Sequence, residues 1–286
     1  MSAPNATEAP SEYQKKVLRG AMPSPPTFAT KEQEREWLKF RLAQAFRIFA
    51  KHGYDEGAAG HITARDPILR DCFWVNPMGL HFKLIQPEDL LLVDYDGKIN
   101  DELSGQKDGP FRILNTAAFV IHSKIHAARP DVLCAAHTHS TYGKAFSALG
   151  KELDMISQDV CAFFEDHILY NQFNGLVIEE EEGASIATAL GTKKAAILQN
   201  HGLLVATSSI EATTRFYISL ERCCQVQLLA DTAAASQCAD GKTKKISDEQ
   251  ARATCGLIGR ERSGWFSGSM EFAVLEREEG VKFQLK

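Results

Sequence analysis

The chain has 286 residues, 44% hydrophobic and 24% charged, with a formal net charge of −5 and a pI near 6.0. That length suits one large globular domain or two small ones with a substantial core. The weakly acidic balance gives no electrostatic footprint for nucleic acid or an anionic membrane, and no apolar run approaches the roughly 20 residues of a spanning helix.

Residues 1–29, rich in Pro, Ser, Ala and Thr, read as a largely disordered leader, with "YQKKVLRG" able to clip onto the domain. The opening "MSAPNATEAPSEYQ" has neither a basic start nor an apolar centre, so it does not read as a secretory signal. Seven scattered cysteines without a CxxC read as reduced thiols of a cytoplasmic protein.

A helix follows, opened by the T-x-x-Q box of Thr30 and Gln33. Trp37, Leu38, Phe40, Leu42, Ala45, Phe46 and Phe49 line its apolar face, and Gly53 lies just past its end. "GAAGHITARDP" (57–67) runs into a strand, "CFWVNPMGLHF" is a second, and "LLLVDYDGKI" reads as strand, Asp-Gly turn, strand. A helix over 115–128 is broken by "RPDV", which begins the strand "VLCAAHTHS". Another helix covers 142–149, and "ISQDVCAFFEDHILY" is mixed loop and strand. "EEEEG" (179–183) reads as an exposed charged turn before a helix reaching residue 190. "AAILQNHGLLVA" is a strand interrupted by Asn-His-Gly, and a long helix over 210–235 closes the core. Residues 30–237 form the main domain. Residues 238–286 form a C-terminal extension, helical and then strand-like in "MEFAVL" and "VKFQL", placed at a subunit interface or as an edge strand. Interleaved strands and helices give a sheet covered by helices.

Chemistry concentrates in "AAHTHS". Period 2 in a strand puts His137 and His139 on one face, and two buried imidazoles must satisfy four ring nitrogens between them. A divalent cation does so, although H-x-H alone also describes two ordinary polar residues at a strand end. A third imidazole, His201, follows the buried "AAIL" pattern, with Gly202 beside it permitting an unusual backbone dihedral. If the two strands are neighbours, three rings converge and leave coordination positions open, as in a catalytic rather than a structural site. His122 and His126, one helical turn apart, read as packed helix residues, with His122 also able to line the pocket. His52, His81 and His167 are background, the last two with an option on the pocket.

"RPDVLCAAHTHS", "LGTKKAAILQNHGLL" and "EGAAGHITARDP" together resemble the class II aldolase/adducin head family over about residues 32–235. The resemblance implies a three-layer α/β/α sandwich with a mixed, mostly antiparallel central sheet. It implies a divalent metal on His137, His139 and His201, zinc foremost, with iron(II) or manganese as alternatives. It also implies a homo-oligomer, tetramer or dimer, with active sites at subunit interfaces.

The departures bear on the reaction. The aldolases' acid–base glutamate falls at Ala118 and their catalytic tyrosine at Gln158; of the phosphate-gripping loops, "GHIT" keeps Gly60 and Thr63 but puts His61 in the way, and "NPMG" offers Asn76 and Gly79 with no hydroxyl. Gly60, His61, Asn76, Gly79, His122 and Gln158 are the expected substrate contacts. Asp159, Glu165 and Tyr142 are the candidates for moving a proton, with Asp166 and Tyr170 behind them. Asn200 either orients a ligand or shapes the turn with Gly202. The first expectation is a metal-dependent lyase, aldolase-like or decarboxylase-like, acting on a small oxygenated carbonyl or carboxylate compound. Alternatives are a mononuclear iron oxygenase, since three imidazoles also suit iron(II), and an adducin-like scaffold.

Overall fold

Helix α1 spans Lys31–Lys51 and begins where Thr30, in extended backbone, accepts the Gln33 N–H through its side chain. Gln33 returns its side chain to the Ala29 N–H rather than to Thr30, so the reciprocal cap sits one residue further out than the box predicts. At the other end Gly53 takes φ +73, a left-handed conformation that suits glycine just past a helix. Leu42, Phe46 and Phe49 on its inner face are wholly buried.

The computed structural model describes residues 22–175 and 180–283. "YQKKVLRG" lies outside them. Within them, strands β1 (His61–Arg65), β2 (Cys72–Val75), β3 (Leu91–Asp94), β4 (Cys134–Thr138), β5 (His167–Tyr170), β6 (Ala195–Leu198) and β7 (Gly202–Thr207) form one sheet. The order is β3-β2-β1-β4-β7-β6-β5, and every neighbouring pair is antiparallel except β5 with β6. The Asp-Gly turn after β3 returns the chain only as far as a single bridge, Val93 to Ile99, instead of a second full strand.

Helices α2 (Thr116–Ala128) and α4 (Glu180–Leu190) cover one face of the sheet. Their Ile121, Ile125, Ile186 and Leu190 meet Ala135, Ala196, Leu204 and Ala206. The other face is covered by α1, α3 (Thr141–Ser147) and α5 (Ile210–Gln237). There Phe46, Phe49 and Leu220 pack with Ala136, Ile197, Leu203 and Val205. The alternation of Ala135 and Ala136 between the two clusters is the period-2 rule at work, and each fully buried Leu, Ile or Phe contributes about 1.5–3 kcal/mol. The result is the expected three-layer sandwich with a mixed, mostly antiparallel sheet.

The C-terminal reading needs correction. "MEFAVL" is not a strand but part of helix α7 (Glu261–Glu279), which follows α6 (Asp248–Ile258). Two glycines one turn apart let α7 approach α5. A Cβ on Gly264 would lie 2.4 Å from Phe216 Cε2, and one on Gly268 would lie 2.1 Å from the Glu211 carbonyl oxygen. Phe272 is buried in the main core, so the extension is packed into the domain. "VKFQL" is not helical over 281–283, and its last residues lie outside the described ones. Glu180, Glu181 and Glu182 form the first turn of α4 rather than a separate turn, where carboxylates complement the positive end of the helix dipole. All seven cysteines are free, and among the described residues no helix is long and apolar enough to cross a membrane.

Candidate metal centre

β4 carries His137 to the C-terminal end of this central strand, and His139 follows one residue beyond it. β7 lies beside β4 with Leu204 opposite His137 and Leu203 opposite Thr138. The tight connection from β6 to β7 places His201 at that same end of the strands, since Leu198 pairs with Gly202. Here the dihedral expectation shifts by two residues. Asn200, not Gly202, takes the left-handed conformation, at φ 56. Gly202 is required for space: a Cβ there would lie 2.5 Å from the Thr138 carbonyl oxygen. The exposed Asn200 therefore shapes the turn.

The three rings converge. Centroids are 5.2 Å apart for His137 and His139, 4.7 Å for His137 and His201, and 4.8 Å for His139 and His201. One ligand nitrogen from each lies within 4.8 Å of the others. His137 Nδ1 donates to the Leu203 carbonyl at 2.9 Å, which fixes its tautomer and leaves Nε2 free to bind a cation. Burial, reinforced by the His201 and His139 rings, holds His137 well below its ordinary titration range. Burial brings His201 down to about 4, and burial with the nearby Lys144 lowers His139. All three are neutral at pH 7, the form that ligates. The set fits a divalent cation.

A strap from α5 holds the His139 segment. The Tyr217 hydroxyl bonds Thr138 Oγ1 at 2.6 Å and lies 3.2 Å from Ser140 Oγ. The Glu221 carboxylate accepts the Ser140 hydroxyl at 2.5 Å, the Gly143 N–H at 2.7 Å and the Tyr142 N–H at 2.8 Å. Neither residue is signalled by a local motif. The only trace in the sequence is an acidic residue one turn after Tyr217 on the apolar face of a long helix. Glu56, paired with Lys144, also lies within electrostatic reach of His139 and was missed for the same reason.

His61 faces His137 across the β1–β4 pairing. Its ring lies 6.2 Å from that of His122. His122 and His126 are both buried on α2, as packed helix residues are, and both bond Thr63 Oγ1 at 2.8 Å. Among the described residues, His61 Nδ1, His122 Nε2 and Asn76 Oδ1 are buried without a partner. Gly60 takes φ +99 and would press a Cβ against Thr138, 3.1 Å from its methyl. Gly79 takes φ +91 beside Phe111.

Tyr142 lies in the first turn of α3, three residues after His139, with 37% of its surface exposed. Glu165 and Asp159 are not brought to the three histidines. Glu165 pairs with Arg252 on α6, 2.9 Å between Oε1 and Nη2, and its carbonyl accepts from Lys193, which precedes β6. His201 follows the other end of β6, so Glu165 lies at the opposite end of the strands. Asp159 is exposed in the 3-10 turn Asp159–Phe163 that leads to the same edge, with Gln158 just before it. Asp166 pairs there with Lys194. His167 is saturated, donating from Nδ1 to Phe163 O at 2.7 Å and accepting the Leu153 N–H on Nε2 at 3.0 Å, and so leaves the pocket. His81 pairs with Asp55 at 2.9 Å on the surface.

Comparison with known proteins finds relatives over most of the chain. The family description "Class II Aldolase and Adducin N-terminal domain" matches residues 40–228. "Decarboxylase NovR" of Streptomyces niveus is 43% identical over 244 residues, covering 85% of each chain. "4-hydroxy-3-prenylphenylpyruvate oxygenase/4-hydroxy-3-prenylbenzoate synthase" of Streptomyces roseochromogenus subsp. oscitans is 42% identical over 244 residues, 85% of this chain and 83% of that one. The solved structure of "L-fuculose 1-phosphate aldolase from Glaciozyma antarctica PI12" superposes with a TM-score of 0.81 at 47% identity, covering 91% of this chain and 97% of that one. Motifs, sheet order and relatives converge, and the chain belongs to the class II aldolase and adducin family.

Proposed function

We propose that the protein is a metal-dependent lyase acting on a small oxygenated carbonyl or carboxylate compound, at a site where His137, His139 and His201 hold a divalent ion. One observation carries this reading: three neutral imidazoles from two separate stretches offer their nitrogens within 4.8 Å of one another. A divalent ion, zinc foremost and manganese or iron(II) as alternatives, supplies a Lewis acid when bound. The chain's own groups bind and orient the substrate and move the proton. His61, His122 and Asn76 present buried polar atoms to it, and Gly60 and Gly79 give its loops room. Glu56, in reach of His139, and Tyr142, three residues after it, are the groups assigned to holding or moving a proton. A relative named as a decarboxylase, similar over 85% of both chains, supports bond cleavage at a carboxylate.

The second reading is a mononuclear iron oxygenase. Three imidazoles hold iron(II) as well as zinc, and this reading is favoured by Ala118 at the place of the aldolases' acid–base glutamate, which oxygen chemistry does not require, and by the relative whose name includes an oxygenase. Metal analysis of protein purified without added metal separates the two. Zinc or manganese without O2 uptake supports the lyase, and iron with O2 uptake supports the oxygenase. Absence of metal, with His137→Ala leaving folding unchanged, supports a scaffold. The same reading makes the protein a homo-oligomer serving a small-molecule substrate, tested by light scattering.

A further inference from the structure

The segment that precedes α1 is held on the domain at both ends. Met22, Pro23 and Ser24 run without secondary structure beside Arg262, the second residue of α7. Arg262 Nη2 donates to the Pro23 carbonyl at 2.8 Å and to the Ser24 hydroxyl oxygen at 3.3 Å, and lies 3.5 Å from the Met22 carbonyl. Its guanidinium is steadied over the Trp265 ring, 5.7 Å from Cζ to the centroid. Further on, the Phe28 ring meets Trp37 of α1 at 6.0 Å, which pins the other end. Glu261, the acid next to Arg262, turns its carboxylate to Ser208 instead.

The sequence sets this stretch apart. Of the chain's ten prolines only Pro25 follows a serine or threonine, so "PSPP" (23–26) holds its single Ser-Pro or Thr-Pro step. A residue before proline is confined to extended backbone, and Met22, Ser24 and Pro25 each precede one. The result is a stiff, extended segment that presents an exposed hydroxyl. Those are the features a proline-directed protein kinase reads, since its cleft takes an extended peptide with proline directly after the acceptor. The bonds from Arg262 are solvent-exposed and weak enough to open for the kinase.

We propose that Ser24 is a phosphorylation site and that Arg262 receives its phosphate. In the transfer the Ser24 oxygen attacks the γ-phosphorus of ATP, a new O–P bond forms as the bond to the departing ADP oxygen breaks, and the hydroxyl proton passes to the kinase's base. The product carries about −1.5 to −2 charge at pH 7 and three acceptor oxygens where a neutral hydroxyl stood. Arg262, already 3.3 Å from that hydroxyl, then holds a phosphate through charge-assisted bonds in place of one long contact. The modification tightens the tie between this segment and α7.

The test joins two measurements on the full chain. Folded protein is treated with ATP and a mitogen-activated protein kinase, and the phosphate is mapped by mass spectrometry. A single phosphate on Ser24 is expected, with incorporation lost in Ser24→Ala and largely lost in Pro25→Ala. The second ionisation of that phosphate is then followed by 31P NMR. It is expected about half a pH unit or more lower in wild type than in Arg262→Gln, because the guanidinium favours the dianion. Arg262→Lys, which keeps the charge but not the planar fork, should retain part of the difference. Unfolding phosphorylated wild type in urea should remove the difference too, and that comparison serves if Arg262→Gln does not fold. A folded chain that takes no phosphate, or takes it only at other residues, overturns the site. A phosphate on Ser24 that titrates alike in wild type, in Arg262→Gln and in urea overturns the role of Arg262.

Discussion

Exchanging Glu221 for glutamine keeps the shape of a side chain that ties α5 to the segment carrying His139. The carboxylate accepts three hydrogen bonds while only 4% exposed. Glutamine has one acceptor oxygen. If that oxygen serves Ser140 and Gly143, its NH2 group confronts the Tyr142 N–H, so one bond is lost and two donors face each other. A hydrogen bond to a charged group contributes about 1.5–3 kcal/mol, and the two bonds that remain lose their charge assistance. Removing a buried charge offsets part of this. The expected net loss is about 2–3 kcal/mol in urea unfolding with chelator present. Groups that orient a metal ligand typically contribute about 10–100-fold to metal affinity, so zinc binding measured against a competing chelator should weaken by that order. Gly143→Ala should act in the same direction, because its Cβ would lie 2.5 Å from Leu203 Cγ and 2.9 Å from Glu221 Oε2. Unfolding within about 0.5 kcal/mol of wild type, with zinc affinity unchanged, would refute the strap as the element that aims His139.

His201→Ala should abolish stoichiometric zinc while leaving unfolding in chelator within about 1 kcal/mol, because the residue sits in a half-exposed turn; loss of folding instead would mark the ring as a structural support. Gly268→Val should destabilise by about 3 kcal/mol or abolish folding, since its first side-chain carbon already meets the Glu211 carbonyl; a variant with an unchanged urea midpoint would contradict the α5–α7 packing. Stability should fall with acidification in two stages. Burial lowers His122 to about 3 and His126 well below 6.5, so their contribution is complete above pH 6.5 and drains as the unfolded chain takes up protons below it. Burial alone would raise the Asp66 carboxyl, but the Arg35 guanidinium, the Leu69 and Ile68 amides and the Trp74 indole outweigh it. Asp66 thus titrates below 3.8, and its contribution, complete above that value, is lost as pH falls through the folded value. Asp66→Asn should remove this lower stage and cost about 3–5 kcal/mol at pH 7. Urea midpoints that stay level from pH 7 to 4.5 would contradict the first stage.

What the sequence by itself determined was local or periodic. Alternation in "VLCAAHTHS" sorted Ala135 from Ala136 and put His137 and His139 together, because side-chain direction along a strand depends only on neighbouring residues. Thr30 and Gly53 marked the ends of α1 because caps are short-range hydrogen-bonding events. The apolar run before His201 announced a buried strand, and the order of motifs carried the family. What only the tertiary structure decided was which end of the sheet each loop serves. Glu165 precedes β5 at one end of the strands while His201 follows β6 at the other, and nothing within the segment "QDVCAFFEDH" encodes that. "MEFAVL" is apolar enough for a strand, yet Gly264 and Gly268 create a helix seam that exists only against α5. Glu221 acquires its role from amides about 80 residues earlier in the chain. The bonds of Thr63 to His122 and His126 join a strand and a helix about 60 residues apart. Short-range geometry is written in composition and spacing, whereas the partner of a buried polar atom is chosen by how distant elements pack.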